Sequence, residues 1–138
     1  MHKPLLAAFL VLASSAPFAA FAASSYNQPY AMVERGDNSE VRKESQVGIV
    51  RVDGKSTRDP RRTDPIPPGK HTVTLHFTSA RGTFRPEYQD LEIDMAACRR
   101  YRVVAQYEGR TGGDWKPVYT SEPIGECRRK FPGAVPKT

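Results

Sequence analysis

The chain is short of the residues from which most enzymes and metal sites are built. Its 138 residues include two cysteines, three histidines and one tryptophan. Two cysteines cannot form a four-thiolate zinc site, and their positions, 98 and 127, exclude a Cys-x-x-Cys redox pair. His71 and His76 stand five residues apart in one alternating segment. Their side chains fall on opposite faces and cannot grip one ion, and His71 reads as a strand-opening residue, so no metal is expected. The sequence has no Gly-x-Ser-x-Gly elbow and no glycine loop that could cradle a phosphate. Glu92 and Asp94 share a strand face, but no apolar wall beside them would push one carboxyl up, so a solvated face is expected. These absences point away from an enzyme, and no cofactor is expected.

Also missing is an apolar run long enough to cross a bilayer. Leu5 to Leu12 is far shorter than the roughly 20 residues a membrane helix needs. Preceded by Lys3 and followed by Ala20-Phe21-Ala22, it has the form of a cleaved signal peptide over residues 1–22. The expected organisation is a leader at 1–22, one domain at 23–127 and a basic flexible tail at 128–138. The mature chain is expected to be periplasmic or secreted, with no transmembrane segment. The leader carries one lysine and no acid, so the mature charge is one below the formal +6 of the whole chain. In an oxidising compartment Cys98 and Cys127 have one possible intramolecular pairing. A disulfide there stabilises by roughly 3–4 kcal/mol through loop closure.

What the sequence does have is alternation. His71, Val73, Leu75 and Phe77 fall on one face of a segment whose other face carries threonines and His76. Tyr88 to Met95 and Tyr101 to Tyr107 repeat the pattern, and Val47 to Val52 is apolar on both faces apart from Arg51. Tyr30 to Glu34 and Trp115 to Thr120 are weaker, and Pro117 places the latter at a sheet edge. Turn signals separate these segments: Arg35-Gly36-Asp37-Asn38, Asp53-Gly54, Pro67-Pro68-Gly69, Arg81-Gly82 and Thr111-Gly112-Gly113-Asp114. Arg35-Gly36-Asp37 is read as turn composition rather than as an integrin ligand. No helix is evident. The fold class expected is all-β, a small antiparallel β-sandwich of six or seven strands with one disulfide.

Val50-Arg51-Val52-Asp53-Gly54-Lys55, followed after eleven residues by Pro67-Pro68-Gly69-Lys70-His71-Thr72-Val73-Thr74-Leu75, resembles the PEGA family. Leu91-Glu92-Ile93-Asp94 stands where such modules carry a further strand, so the likeness spans residues 47–95. It implies a small exported module of transthyretin-like or immunoglobulin-like form that binds or scaffolds at a bacterial envelope without catalysis. It carries no catalytic residues over to this chain.

Two places could bear function. A Cys98–Cys127 bridge would gather Arg99, Arg100, Arg128, Arg129 and Lys130 into an anion-binding patch without acids among them, with Arg102 pointing away. The partner would be an anionic lipid head group, an acidic envelope polymer or another envelope protein. Nucleic acid is not expected, since no aromatics interleave the cluster. The second place is the loop 55–66, where Arg58, Arg61 and Arg62 alternate with Asp59 and Asp64. It shows no core anchor, and Pro60 and Pro65 deny it regular ladder bonding. Such a loop would suit a periplasmic inhibitor that blocks another protein's cleft, or would merely join two strands.

Overall fold

The computed structural model describes residues 26–79, 82–109 and 112–135. The expected leader at 1–22, the last residues of the tail at 136–138, and Arg81 and Thr111 of the turns lie outside them. Nine strands form among the described residues: β1 Met32–Arg35, β2 Glu44–Ser45, β3 Gly48–Val52, β4 Lys55–Ser56, β5 Gly69–His76, β6 Thr83–Arg85, β7 Tyr88–Met95, β8 Arg99–Tyr107 and β9 Gly112–Pro123. The segments legible in the sequence are β1, β3, β5, β7, β8 and β9. The other strands are two or three residues long, too short to display a period.

One sheet runs β1-β8-β9-β6, with β2 also paired to β8; the other runs β4-β3-β5-β7. Alternation puts Val33, Tyr101, Val103, Ala105 and Trp115 of the first sheet against Ile49, Val73, Leu75, Ile93 and Met95 of the second, all buried in one cluster. The protein is therefore an all-β sandwich. Most pairings are antiparallel, but β1–β8 and β6–β9 are parallel. Side chains alternate with the same period in both arrangements, so a single strand cannot reveal which it joins. The turn between β3 and β4 is set by Asp53 and Gly54, both at positive φ, 51° and 78°. That geometry closes a two-residue hairpin with Val52 opposite Lys55.

The two seams between the sheets are treated differently. Along one, residues 57–66 form a strap rather than a protruding loop. Ile66 and Thr63 are buried, so the expectation of no core anchor is corrected. Ala31 and Ile66 exchange two backbone bonds of 2.8 Å, and Thr63 N–H donates to the Val33 carbonyl at 2.8 Å. In return Val33 N–H donates to the Thr63 hydroxyl at 3.0 Å. Toward the other sheet, Ile49 N–H donates to the Pro60 carbonyl at 2.9 Å, and Thr57 N–H donates to the Val50 carbonyl at 3.1 Å. The strap thus bonds β1 on one side and β3 on the other. Pro60 lacks a donor but keeps its acceptor, which is the group the strap uses.

The opposite seam lies between β7 and β9. Among the described residues, 115–123 of β9 pair with β8 alone, and β6 takes 112–114. Pro117 therefore sits on a one-sided stretch, as its missing N–H requires. Trp115 makes the tie across this seam. Its ring packs edge-on to Phe77 with centroids 5.3 Å apart. Its indole N–H donates to the Pro86 carbonyl, and its own carbonyl accepts from Gln89 Nε2 at 2.6 Å.

After β9 the chain forms a short helix, α1 Gly125–Lys130, and one 3-10 turn, Pro132–Ala134. The sequence shows no helix here because six residues are too few for a readable period. The start of the expected tail, Arg128 to Lys130, is therefore helical. Cys127 on this helix is buried and joined to Cys98 across a sequence separation of 29.

Two stability changes follow. Replacing both cysteines with serine is expected to cost about 3 kcal/mol and lower the thermal midpoint by roughly 10 °C, and reductant should lower the native midpoint in the same way. Thr63→Val keeps the shape but leaves the Val33 N–H without its acceptor. It should cost about 1–3 kcal/mol in urea unfolding, whereas Arg62→Ala on the exposed side of the strap should stay within about 0.5 kcal/mol.

Candidate functional site

The disulfide end is built on a small second core. Tyr30, Cys98, Ile124 and Cys127 are buried together, with Met32, Phe131 and Val135 packed against them. Cys98 takes a positive φ of 59°; its N–H donates to the Tyr30 carbonyl at 2.7 Å and its carbonyl accepts from Ile124 N–H at 2.8 Å. The first bond ties the start of β8 to the segment before β1, and the second ties it to the start of α1. The helix carries Glu126 in its first turn and Arg128, Arg129 and Lys130 in its last, an order that complements its dipole.

The five cations expected to gather here divide between β8, which carries Arg99 and Arg100, and α1, which carries Arg128, Arg129 and Lys130. Arg100 and Arg102 lie on the outer face of the first sheet. Arg100 pairs with Glu34 at 3.3 Å and Glu122 at 3.4 Å, and Arg102 pairs with the same Glu122 at 3.1 Å. The expectation of a cluster without acids is corrected for Arg100, which is held in a cross-strand lattice with two carboxylates. Arg102 does not point away from Arg100 but shares its partner. Arg99, one residue earlier, faces the other way and donates to the Ser121 hydroxyl at 3.0 and 3.2 Å. Lys130 donates to the Tyr26 carbonyl at 2.9 Å and stands 5.5 Å from the Phe131 ring centre. Arg128 and Arg129 are exposed and have no carboxylate within ion-pair distance among the described residues.

The strap's charges are mostly spent within it. Arg58 meets Asp64 through two bonds of 2.6 and 3.0 Å, and Arg61 meets Asp59 through two of 3.1 Å. The hydrogen bonds from the arginines hold the Asp59 and Asp64 carboxyls below the usual carboxylate range. Arg62 is the strap arginine without such a bond among the described residues. A cleft of about 350 Å³ is lined by Arg58, Arg62 and Tyr26, together with Asp59, Thr63 and Asp64. Because Tyr26 also accepts from Lys130, the strap and the disulfide end adjoin one another. Sequence reasoning treated them as separate sites; what joins them is a tyrosine beside the expected leader, with no motif to mark it.

The two turn motifs between residues 50 and 75 also meet. The Asp53 carboxylate takes Thr72 N–H at 2.9 Å and faces His71 Nδ1 at 2.5 Å, while His71 Nε2 lies 2.6 Å from the Pro67 carbonyl. Burial would raise the Asp53 carboxyl, but the bonds from His71 and Thr72 outweigh it and hold it low. His76 faces elsewhere, its ring tilted by 30° against Tyr88 with centroids 4.6 Å apart. Among the described residues no group of three His, Cys, Asp or Glu is placed to hold a metal ion.

Comparison with known proteins returns no match to a family model, to a curated protein or to a solved structure.

The Asp53 clasp gives a signed pH dependence. A carboxyl held low in the fold binds fewer protons than in the unfolded chain, so its stabilisation is complete above the ordinary value near about 4 and fades as pH falls through the lower folded value. Asp53 is half exposed, so Asp53→Asn should cost only about 1 kcal/mol at neutral pH. The gap between wild type and variant, measured by urea unfolding, should close as the pH is taken toward about 2.

Proposed function

We propose that the protein is exported and works as a non-catalytic binding module of the cell envelope, with an anionic ligand held at the disulfide end. The observation that carries this reading is the pair Arg128 and Arg129, exposed on a helix pinned by a buried disulfide and lacking carboxylate partners among the described residues. Arg99 leads off the other half of the bridge, and Arg62 and Lys130 extend the same surface through Tyr26. Guanidinium groups fixed on a rigid support suit phosphate or carboxylate oxygens, because the planar donor fork is set before the ligand arrives. The ligand class is a lipid head-group phosphate or an acidic polysaccharide. The PEGA-like segment at 47–95 and the leader-like start of the chain support an envelope role.

An inhibitor acting through the strap is the second reading. The pairing of Arg58 with Asp64 and of Arg61 with Asp59 favours the first, since it leaves the strap little free charge to present.

Arg128→Ser/Arg129→Ser should elute from heparin, and dissociate from vesicles containing lipid A, at clearly lower salt than wild type. Arg100→Ser/Arg102→Ser removes the same formal charge from paired positions and should shift elution much less. Equal shifts for the two double variants would reduce the effect to net charge, and no shift for Arg128→Ser/Arg129→Ser would remove the proposal.

A further inference from the structure

The seam left without a strap exposes two strand edges of different character. Along β9 the prolines at 117 and 123 pair with Ala105 and Arg99 of β8. Having no N–H, they belong at positions whose backbone groups face away from β8. Trp115, Tyr119 and Ser121 share that parity, which agrees with the Trp115 carbonyl reaching Gln89 across the seam. Two of the outward donors of β9 are therefore missing and one acceptor is capped, so this edge is a poor template for another strand.

The β7 edge has no such protection. It pairs with β5 from Tyr88 to Met95 without a register shift, and among the described residues it has no strand on its other side. Phe77 N–H donates to the Glu87 carbonyl, which makes 77 and 87 a hydrogen-bonded pair. The alternation then turns the backbone groups of Gln89, Leu91, Ile93 and Met95 toward β5 and those of Tyr88, Asp90, Glu92 and Asp94 outward. None of these four is proline, so the edge offers consecutive donors and acceptors at strand spacing. The same residues place their side chains on the outer face of the sheet, opposite to buried Ile93 and Met95.

The charge on this edge says what can pair with it. A second copy joined antiparallel through β7 would set residues of the same parity opposite each other, Asp90 against Asp94 and Glu92 against Glu92, or neighbours of the same sign. Opposed like charges destabilise such a pair, so the edge rejects itself. A strand carrying lysine or arginine at alternate positions would instead meet a carboxylate at each. Lys70 already approaches Glu92 at 3.9 Å from the β5 side, and Asp90 is engaged by the Thr74 hydroxyl at 2.6 Å, while Asp94 has no such bond among the described residues. We infer that the β7 edge receives an extended basic segment of another protein by strand addition, with its basic side chains over Glu92 and Asp94 and its backbone bonded to residues 88–94.

The probe is a synthetic alternating valine–lysine nonapeptide added to the oxidised full chain. The expected result is saturable binding with slowed amide exchange at Tyr88, Asp90, Glu92 and Asp94 in particular. Glu92→Gln/Asp94→Asn should weaken binding by about tenfold. The same peptide N-methylated at its lysines keeps its charge but loses the amides that would bond β7, and it should not bind; nor should a valine–glutamate peptide. Equal binding of the methylated peptide, binding that leaves those four amides unchanged, or no binding of the valine–lysine peptide overturns the inference.

Discussion

A sandwich of two sheets has two seams, and the backbone groups along them must be bonded, capped or left to water. The architecture of this protein follows from how unequally the two are handled. On one seam ten residues, 57–66, supply carbonyls, amides and a threonine hydroxyl to β1 and β3 at once. This converts a segment rich in arginine, aspartate and proline into the piece that fixes the sheets to each other. The other seam has the Trp115 tie at one end and, among the described residues, strand edges without a partner beyond it. The question such a segment poses in the sequence, connection or working loop, has a structural answer: its backbone is a fastening, and only its side chains are available for anything else.

Charge is distributed by register in the same way. Three arginines follow Cys98 within four positions, and along the chain they look equivalent. Folded, Arg99 goes to Ser121, while Arg100 and Arg102 share Glu122 because β9 runs antiparallel with Arg100 opposite Glu122. Arg128 and Arg129 on α1 are exposed and meet no carboxylate among the described residues, while Lys130 beside them donates to the Tyr26 carbonyl. Exposed arginines on α1 and a carboxylate-bearing edge along β7 therefore coexist on a chain whose formal charge is +6.

The core was legible because period two survives in the sequence wherever a strand has one buried face: Val73, Leu75, Ile93, Met95, Val103 and Ala105 are all inside. The hairpin at Asp53-Gly54 was legible because few residue pairs tolerate two positive φ values in succession. The disulfide was legible by count. The strap was not, since Thr63 is polar in isolation and becomes an anchor only when Val33 N–H lies opposite it. Helix α1 was not, being shorter than two turns. The pairing of Arg100 and Arg102 was not legible, because it depends on Glu34 and Glu122, whose places are fixed by strand pairing alone.

Native-state amide exchange tests the account at its centre. If the strap fastens the two sheets, the amides of Ala31, Arg35, Ile49, Thr63 and Ile66 should exchange as slowly as those in the middle of β5 and open only with global unfolding. If they exchange as fast as exposed turn amides such as Gly54, the segment is a loop resting on the sandwich, and the asymmetry between its two seams is lost.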